Sequence, residues 1–298
     1  MNFLHDLQWI LPLRSPELIR LAFGLSWLGY TTFIMFFMAI GYWTWSKTIF
    51  FRLLILVAIN AMLNAYIKDL FQDPRPPLVL RLDDLVGASY GLPSGHAQLA
   101  VVMWMWLAWE LRRTWTWVLG SVITLGVITS RMVLGVHDLE DVLVGAALGG
   151  ASLLIFERVR HWQFAFQTQW GWSVLAIAAG TALALLTWPG TAPEYIPTLA
   201  GWLAIATWSL QFDNRHLDFT APKAFWRKLT VGLLGAACFM GEQNLLKLLG
   251  NSVAMQPMLW ALTKGLVSGA FVSLLMPLVF AKLRLAPSSP APSYITSH

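Results

Sequence analysis

The sequence predicts an all-α, polytopic membrane helix bundle of about nine transmembrane helices, and three observations lead there. Hydrophobic residues make up 57% of the 298 and charged residues only 12%, too apolar a balance for an ordinary soluble domain. Apolar windows of the length that crosses a hydrocarbon core recur along the chain. The 17 Trp residues fall largely near the ends of those windows, where an indole finds one apolar and one wet side.

Taken in order, residues 1–18 mix Leu, Trp and Ile with Asp6, Pro12, Arg14 and Pro16, which reads as an interfacial segment rather than a span. The start has no basic stretch and no small-residue cleavage site, so it reads as retained. Spans are expected near 19–45, 49–71, 97–111, 116–135, 139–156, 171–188, 198–212, 229–250 and 256–281. Within the fifth, Gly145 and Gly149 have the four-residue spacing that lets two helix backbones approach closely. The single cysteine, Cys238, sits in an apolar run, which leaves neither a disulfide framework nor a thiolate metal site. Residues 287–298, rich in Pro and Ser, read as a disordered tail.

Threading nine spans sends alternate loops to opposite faces. Lys47, Arg52, Arg112, Arg113, Arg158, Arg160, Arg215, Lys223, Arg227, Lys228, Lys282 and Arg284 then share one face, against Arg14, Arg20, Lys68, Arg75, Arg81 and Arg131 on the other. Positive charge marks the cytoplasmic side, so the N-terminus is expected outside and the C-terminus in the cytoplasm. The net charge of +5 is thus a matter of membrane orientation; short basic loops are not the continuous stripe that nucleic acid requires. As a consequence Lys68, Arg75, Ser94, His96, Arg131, His137 and Asp141 all fall on the outer face.

Three outer segments carry chemistry. Lys68 and Arg75 put two fixed charges at the end of the second span. Arg holds phosphate oxygens through paired hydrogen bonds and Lys adds a compact charge, although either side chain could simply snorkel to headgroups. Pro93-Ser94-Gly95-His96 stands at a helix N-terminus: Ser94 is a suitable cap, Gly95 admits a ligand close to the backbone, and the helix end favours an anion. His96 there either moves a proton or is an ordinary satisfied side chain. The third segment runs from Ser130-Arg131 to His137 and Asp141. A spacing of four puts the last two on one helical face, where a carboxylate fixes the imidazole tautomer and raises its basicity. The competing reading is charge complementarity at a helix start.

Together these segments resemble the three-part signature of the type-2 phosphatidic acid phosphatase superfamily, which includes vanadium haloperoxidases, bacterial acid phosphatases and glucose-6-phosphatase. Lys68, Arg75 and Pro76, then Pro93 to His96, then Ser130, Arg131, His137 and Asp141 fill its positions. The resemblance implies a six-helix phosphatase core over 19–190, followed by an accessory three-helix region over 191–286. It also implies roles. Lys68, Arg75, Ser94, Gly95 and Arg131 would bind the phosphoryl group, His137 would attack phosphorus, Asp141 would hold His137, and His96 would exchange protons with the leaving group and water. No metal or other cofactor is implied, and the sequence has no P-loop or clustered ligands.

The expected substrate is a phosphorylated lipid, such as undecaprenyl pyrophosphate or phosphatidic acid, met at the surface of the lipid bilayer. A bacterial inner membrane with the site facing the periplasm, or a lumen in a eukaryote, fits this. The alternatives are a small phosphomonoester, as for glucose-6-phosphatase, phosphoryl transfer to an acceptor lipid, and a transporter whose basic cluster only binds. Glu242 and Lys264, charged residues inside the last two spans, are expected to pair as a pin between helices.

Overall fold

The computed structural model describes residues 4–87, 89–160, 170–252 and 254–287. Among these the secondary structure is helical throughout, with no strand. The expected tail lies outside the described residues from 288 onward.

The chain forms two compact units, one built from Met1–Met35, Ile55–Trp162 and Thr187–Ala192, the other from Phe36–Leu54, Gln163–Leu186 and Pro193–His298. In the first, Ser15 caps α1 (Pro16–Trp27) by accepting the Leu18 N–H at 3.2 Å, and Pro16 opens the helix where its missing donor costs nothing. The chain then bends by 52° at Leu28-Gly29-Tyr30 before α2 (Thr31–Thr44). α3 is Lys47–Phe71. After a long loop come α4 (Gly95–Ala100), a π-helical turn (Val101–Met105) and α5 (Trp106–Leu111), end to end. α6 (Thr114–Val133) and α7 (Leu139–Arg160) complete this part.

α4 packs against α6 and α7, and α1 lies along α6. The expected glycine pair makes the first of these contacts. A Cβ on Gly145 would stand 2.5 Å from the Ser94 carbonyl oxygen, and one on Gly149 would stand 2.7 Å from that of Gln98. The N-terminal segment also packs here: Leu7 and Ile10 are buried with Met132, Val133, Leu134 and Val136.

In the second unit α8 (Trp170–Leu186) packs on α9 (Tyr195–His216), which runs along α11 (Pro257–Ala270). α10 is Phe225–Gly250; a π-helical turn, Phe271–Leu275, joins α11 to α12 (Met276–Lys282). A Cβ on Gly265 would fall 2.0 Å from the Thr198 carbonyl oxygen, so this contact between α9 and α11 needs glycine. The pin expected between Glu242 and Lys264 is not formed. Glu242 instead accepts from Ser268 Oγ at 2.8 Å and from the Gln243 amide at 2.7 Å, neutral donors that satisfy a half-buried carboxylate without a second charge.

Helices occupy all nine expected places, but fewer meet the demands of a membrane crossing. Five described helices are long and apolar enough, six if the bent α1–α2 pair is one span. The shortfall has local causes. The helical run Gly95–Leu111 and α8 are both short for a crossing, and α9 interleaves Pro197, Thr198, Thr207, Ser209 and Gln211 with its apolar residues.

Candidate active site

The site assembles within the first unit from four helix ends, those of α3, α4, α6 and α7, and the loop between α3 and α4. On α3, Asn60, Asn64 and Lys68 recur every four residues and so share a face. Gln98 of α4 donates to Asn60 Oδ1 at 2.8 Å, while Asn64 donates to Gln98 Oε1 at 2.9 Å and to the Pro93 carbonyl at 3.1 Å. This buried amide ladder ties α3 to the start of α4, which carries Ser94, Gly95 and His96. Lys68, one turn further, donates to the carbonyls of Tyr90 and Gly91, the latter at 2.8 Å. Ser94 caps α4 toward Ala97 N, and its own N–H is held by the Asp141 carbonyl at 2.9 Å.

His137 is buried, and its Nδ1 lies 2.8 Å from Asp141 Oδ2. Nδ1 therefore carries the proton and donates. That leaves the Nε2 lone pair facing Arg75 Nη1, 3.1 Å away. Arg75 is itself fixed by the carbonyls of Ser89 (2.6 Å) and Val136 (2.9 Å) and by Ser89 Oγ (2.8 Å). Burial, followed by the Arg75, Lys68 and Arg131 charges, pushes His137 well below the ordinary imidazole range, so it is neutral at pH 7. Burial and the Arg131 charge push Arg75 down to about 10, which leaves it cationic.

Arg131 is fully buried and pairs with buried Asp83 at 3.0 Å. The same Asp83 oxygen accepts from the Tyr30 hydroxyl, and Ser26 Oγ accepts from the guanidinium. Tyr30 meets the His96 ring edge-on, with centroids 4.9 Å apart. Gly29 makes room for that ring: a Cβ there would lie 2.3 Å from His96 Cδ2. Four buried atoms here have no hydrogen-bond partner: Arg131 Nε and Nη2, His96 Nε2 and Asp141 Oδ1. Cationic donors, a neutral nucleophilic imidazole and a second imidazole suit a tetrahedral oxyanion. Among the described residues no group of three or more His, Cys, Asp or Glu side chains is placed to hold a metal ion.

All eight residues singled out from sequence lie on the elements that build this site. Sequence reasoning missed their supports, namely Ser26, Tyr30, Asp83, Ser89, Asn60, Asn64 and Gln98. The amide ladder had a legible signal, polar residues every fourth position in an apolar span. Asp83 had none, because the long loop brings it to Arg131 only through folding.

A helical membrane protein that gathers two buried imidazoles beside Lys68, Arg75 and Arg131 is the class these features define. Residues 49–165, which contain the whole signature, match the sequence model of the PAP2 superfamily. Sphingosine-1-phosphate phosphatase 2 of Homo sapiens is 30% identical over 145 residues, 46% of this chain and 36% of that protein. Phosphatidylglycerophosphatase B of Bacillus subtilis is 29% identical over 161 residues, 50% of this chain and 76% of that protein. The crystal structure of a transmembrane PAP2-type phosphatidylglycerolphosphate phosphatase from Bacillus subtilis superposes with a TM-score of 0.46 at 22% identity, over 53% of this chain and 83% of that one. The chain thus spans about a third of the human relative's length. These relatives are phosphatases, and with its apolar helices the protein is integral to the membrane.

Proposed function

We propose that the protein hydrolyses the phosphate or pyrophosphate of a membrane lipid through a phosphohistidine on His137, without a metal, on the non-cytoplasmic face. The observation that carries this reading is the state of His137: Nδ1 tied to Asp141 and the Nε2 lone pair directed at a guanidinium. In the first step Nε2 bonds to phosphorus while the bond from phosphorus to the leaving oxygen breaks. Arg75 transfers its hydrogen bond from Nε2 to a phosphoryl oxygen, Lys68, Arg131, Ser94 and the Gly95 N–H bind the others, and His96 gives the leaving oxygen its proton. Asp141 stabilises the charge that His137 gains. In the second step water attacks phosphorus, its proton passes to His96, and the P–N bond breaks to release phosphate.

A lipid substrate is favoured by the loop between α3 and α4. Leu78, Val79 and Leu85 are 77%, 88% and 79% exposed there, on a segment flanked by Arg75 and Ser89. An apolar rim beside an anion site suits a phosphate presented at the end of a chain held in the bilayer. The relatives' names, which specify sphingosine-1-phosphate and phosphatidylglycerophosphate phosphatases, point the same way.

The test is phosphate release by the detergent-purified protein, with chelator, from a lipid pyrophosphate, phosphatidic acid, a sphingoid phosphate and a sugar phosphate. The lipids are expected to turn over and the sugar phosphate to be poor. Preference for the sugar phosphate would overturn the lipid assignment. Loss of activity to chelator, with restoration by a divalent metal, would overturn the metal-free mechanism.

A further inference from the structure

The start of the chain reaches the nucleophile through a hydrogen-bonded relay that the mechanism above does not use. His5 Nδ1 lies 2.8 Å from Asp138 Oδ2, and its Nε2 lies 2.9 Å from Glu140 Oε2. Beside it the Leu4 carbonyl accepts the N–H of Leu139 at 3.1 Å and of Glu140 at 3.4 Å, the opening residues of α7. Asp138 and Asp141 are reciprocally bonded: Asp138 Oδ1 accepts the Asp141 N–H at 3.0 Å, and Asp141 Oδ2 accepts the Asp138 N–H at 3.3 Å. Asp141 Oδ2 is also the acceptor for His137 Nδ1. A continuous path therefore runs from Glu140 through His5, Asp138 and Asp141 to His137.

The chemistry of His5 follows from its partners. A neutral imidazole has one N–H and one lone pair. With a carboxylate at each ring nitrogen, only the imidazolium satisfies both contacts. Three acids face it: Asp138 from the turn before α7, Glu140 from α7, and Asp73 from the loop after α3. The hydrogen bond to Asp138 and these charges raise His5 above its ordinary value of 6.5. The contribution is thus fully present below about pH 6.5 and fades as pH rises through the raised value.

We infer that protonated His5 is a positioning residue for the nucleophile, holding Asp138 and the start of α7 so that Asp141 stays seated on His137. It acts through those groups and touches no reacting atom. The inference deepens the phosphohistidine reading and rests on it for the word nucleophile. Packing secures the same segment, since Leu7 and Ile10 are buried beside Val136 and Arg14 donates to the Val133 and Leu80 carbonyls at 2.7 and 2.9 Å. His5 itself is half exposed, so its proton equilibrates with the outer solution.

The test compares wild type, His5→Ala and His5→Arg as full-length protein in detergent, measuring kcat and KM for a lipid phosphate from pH 5.5 to 9. His5→Ala is expected to lower kcat about tenfold, the rate equivalent of one charge-assisted hydrogen bond, with KM little changed. Wild type is expected to lose kcat at alkaline pH with a midpoint above 6.5, and His5→Arg, which stays cationic, to retain kcat at low pH and lack that limb. An alkaline limb unchanged in both variants would overturn the inference, as would a loss confined to KM. A second readout is independent of turnover: the nitrogen NMR signals of His137, which report its tautomer. Loss of the Nδ1–H form in His5→Ala supports the relay, and its persistence counts against it. Should wild type hydrolyse no substrate, the phosphatase reading fails while this spectrum still decides the role of His5.

Discussion

Asp83 shows how a single side chain can matter as much as a signature residue. It is the carboxylate partner of fully buried Arg131. Asp83→Asn would leave that guanidinium uncompensated, at a cost of about 3–5 kcal/mol. Thermal unfolding in detergent should show the loss, together with weakened substrate binding, and a melting temperature equal to wild type would refute the pairing. At His137, substitution by Ala is expected to abolish phosphate release by about three orders of magnitude or more; labelled phosphate should be trapped on His137 in wild type and not on His96. Its depressed pKa also sets a pH dependence. The unfolded chain, with an imidazole near 6.5, binds more protons than the folded one just below that pH. Stability should therefore rise as pH increases toward about 6.5 and fall on acidification below it. Melting curves from pH 5 to 7 should show this slope, and His137→Asn should flatten it. His137, His96 and Arg131 were legible as residue types at fixed spacing. Ser26, Tyr30 and Asp83 were not, since no local pattern ties them to positions 48 to 105 residues away.

At the level of elements, the site depends on how closely α7 approaches α4. The Gly145 position has no room for a methyl group, since its Cβ would meet the Ser94 carbonyl at 2.5 Å, whereas a Cβ on Gly150 meets nothing within 4 Å. Gly145→Ala is expected to displace the Ser94 cap, reduce kcat and cost about 1–3 kcal/mol, while Gly150→Ala is neutral or slightly stabilising. Equal effects at the two positions would show that close approach is unimportant. Gly135 makes the turn between α6 and α7 in the left-handed region, at φ +68, against the Leu80 carbonyl. That conformation and lack of space both favour glycine. The four-residue glycine spacing was readable as a packing motif. Its partner helix was not, because spacing along one helix carries no information about which other helix meets it.

For the whole molecule, loop charge predicts a sidedness. With Cys238 replaced by Ser, a cysteine at Leu78 should react with an impermeant reagent from outside, and one at Lys223 only after the cytoplasmic face is opened. Labelling of both from one side would refute the expected topology. The number of crossings is the point where hydropathy says least. The 19–45 stretch reads as one long span but folds as two helices bent by 52°, and α9 has the length of a span with too many polar residues. Window hydropathy averages over a bend and over a π turn alike, since neither changes composition.

By itself the sequence determined a helical membrane protein and placed Lys68, Arg75, Ser94, Gly95, His96, Arg131, His137 and Asp141 at or just beyond helix ends. Such features are local: hydrophobic length, helix capping and four-residue periodicity need no knowledge of the fold. Only the tertiary structure decided what supports them. Asp83 under Arg131, the amide ladder under Gly95, Tyr30 against His96 and His5 on Asp138 are contacts between segments far apart in the chain. It also decided that Glu242 bonds to Ser268 rather than Lys264, because composition places a charge in a helix but packing sets the direction it faces.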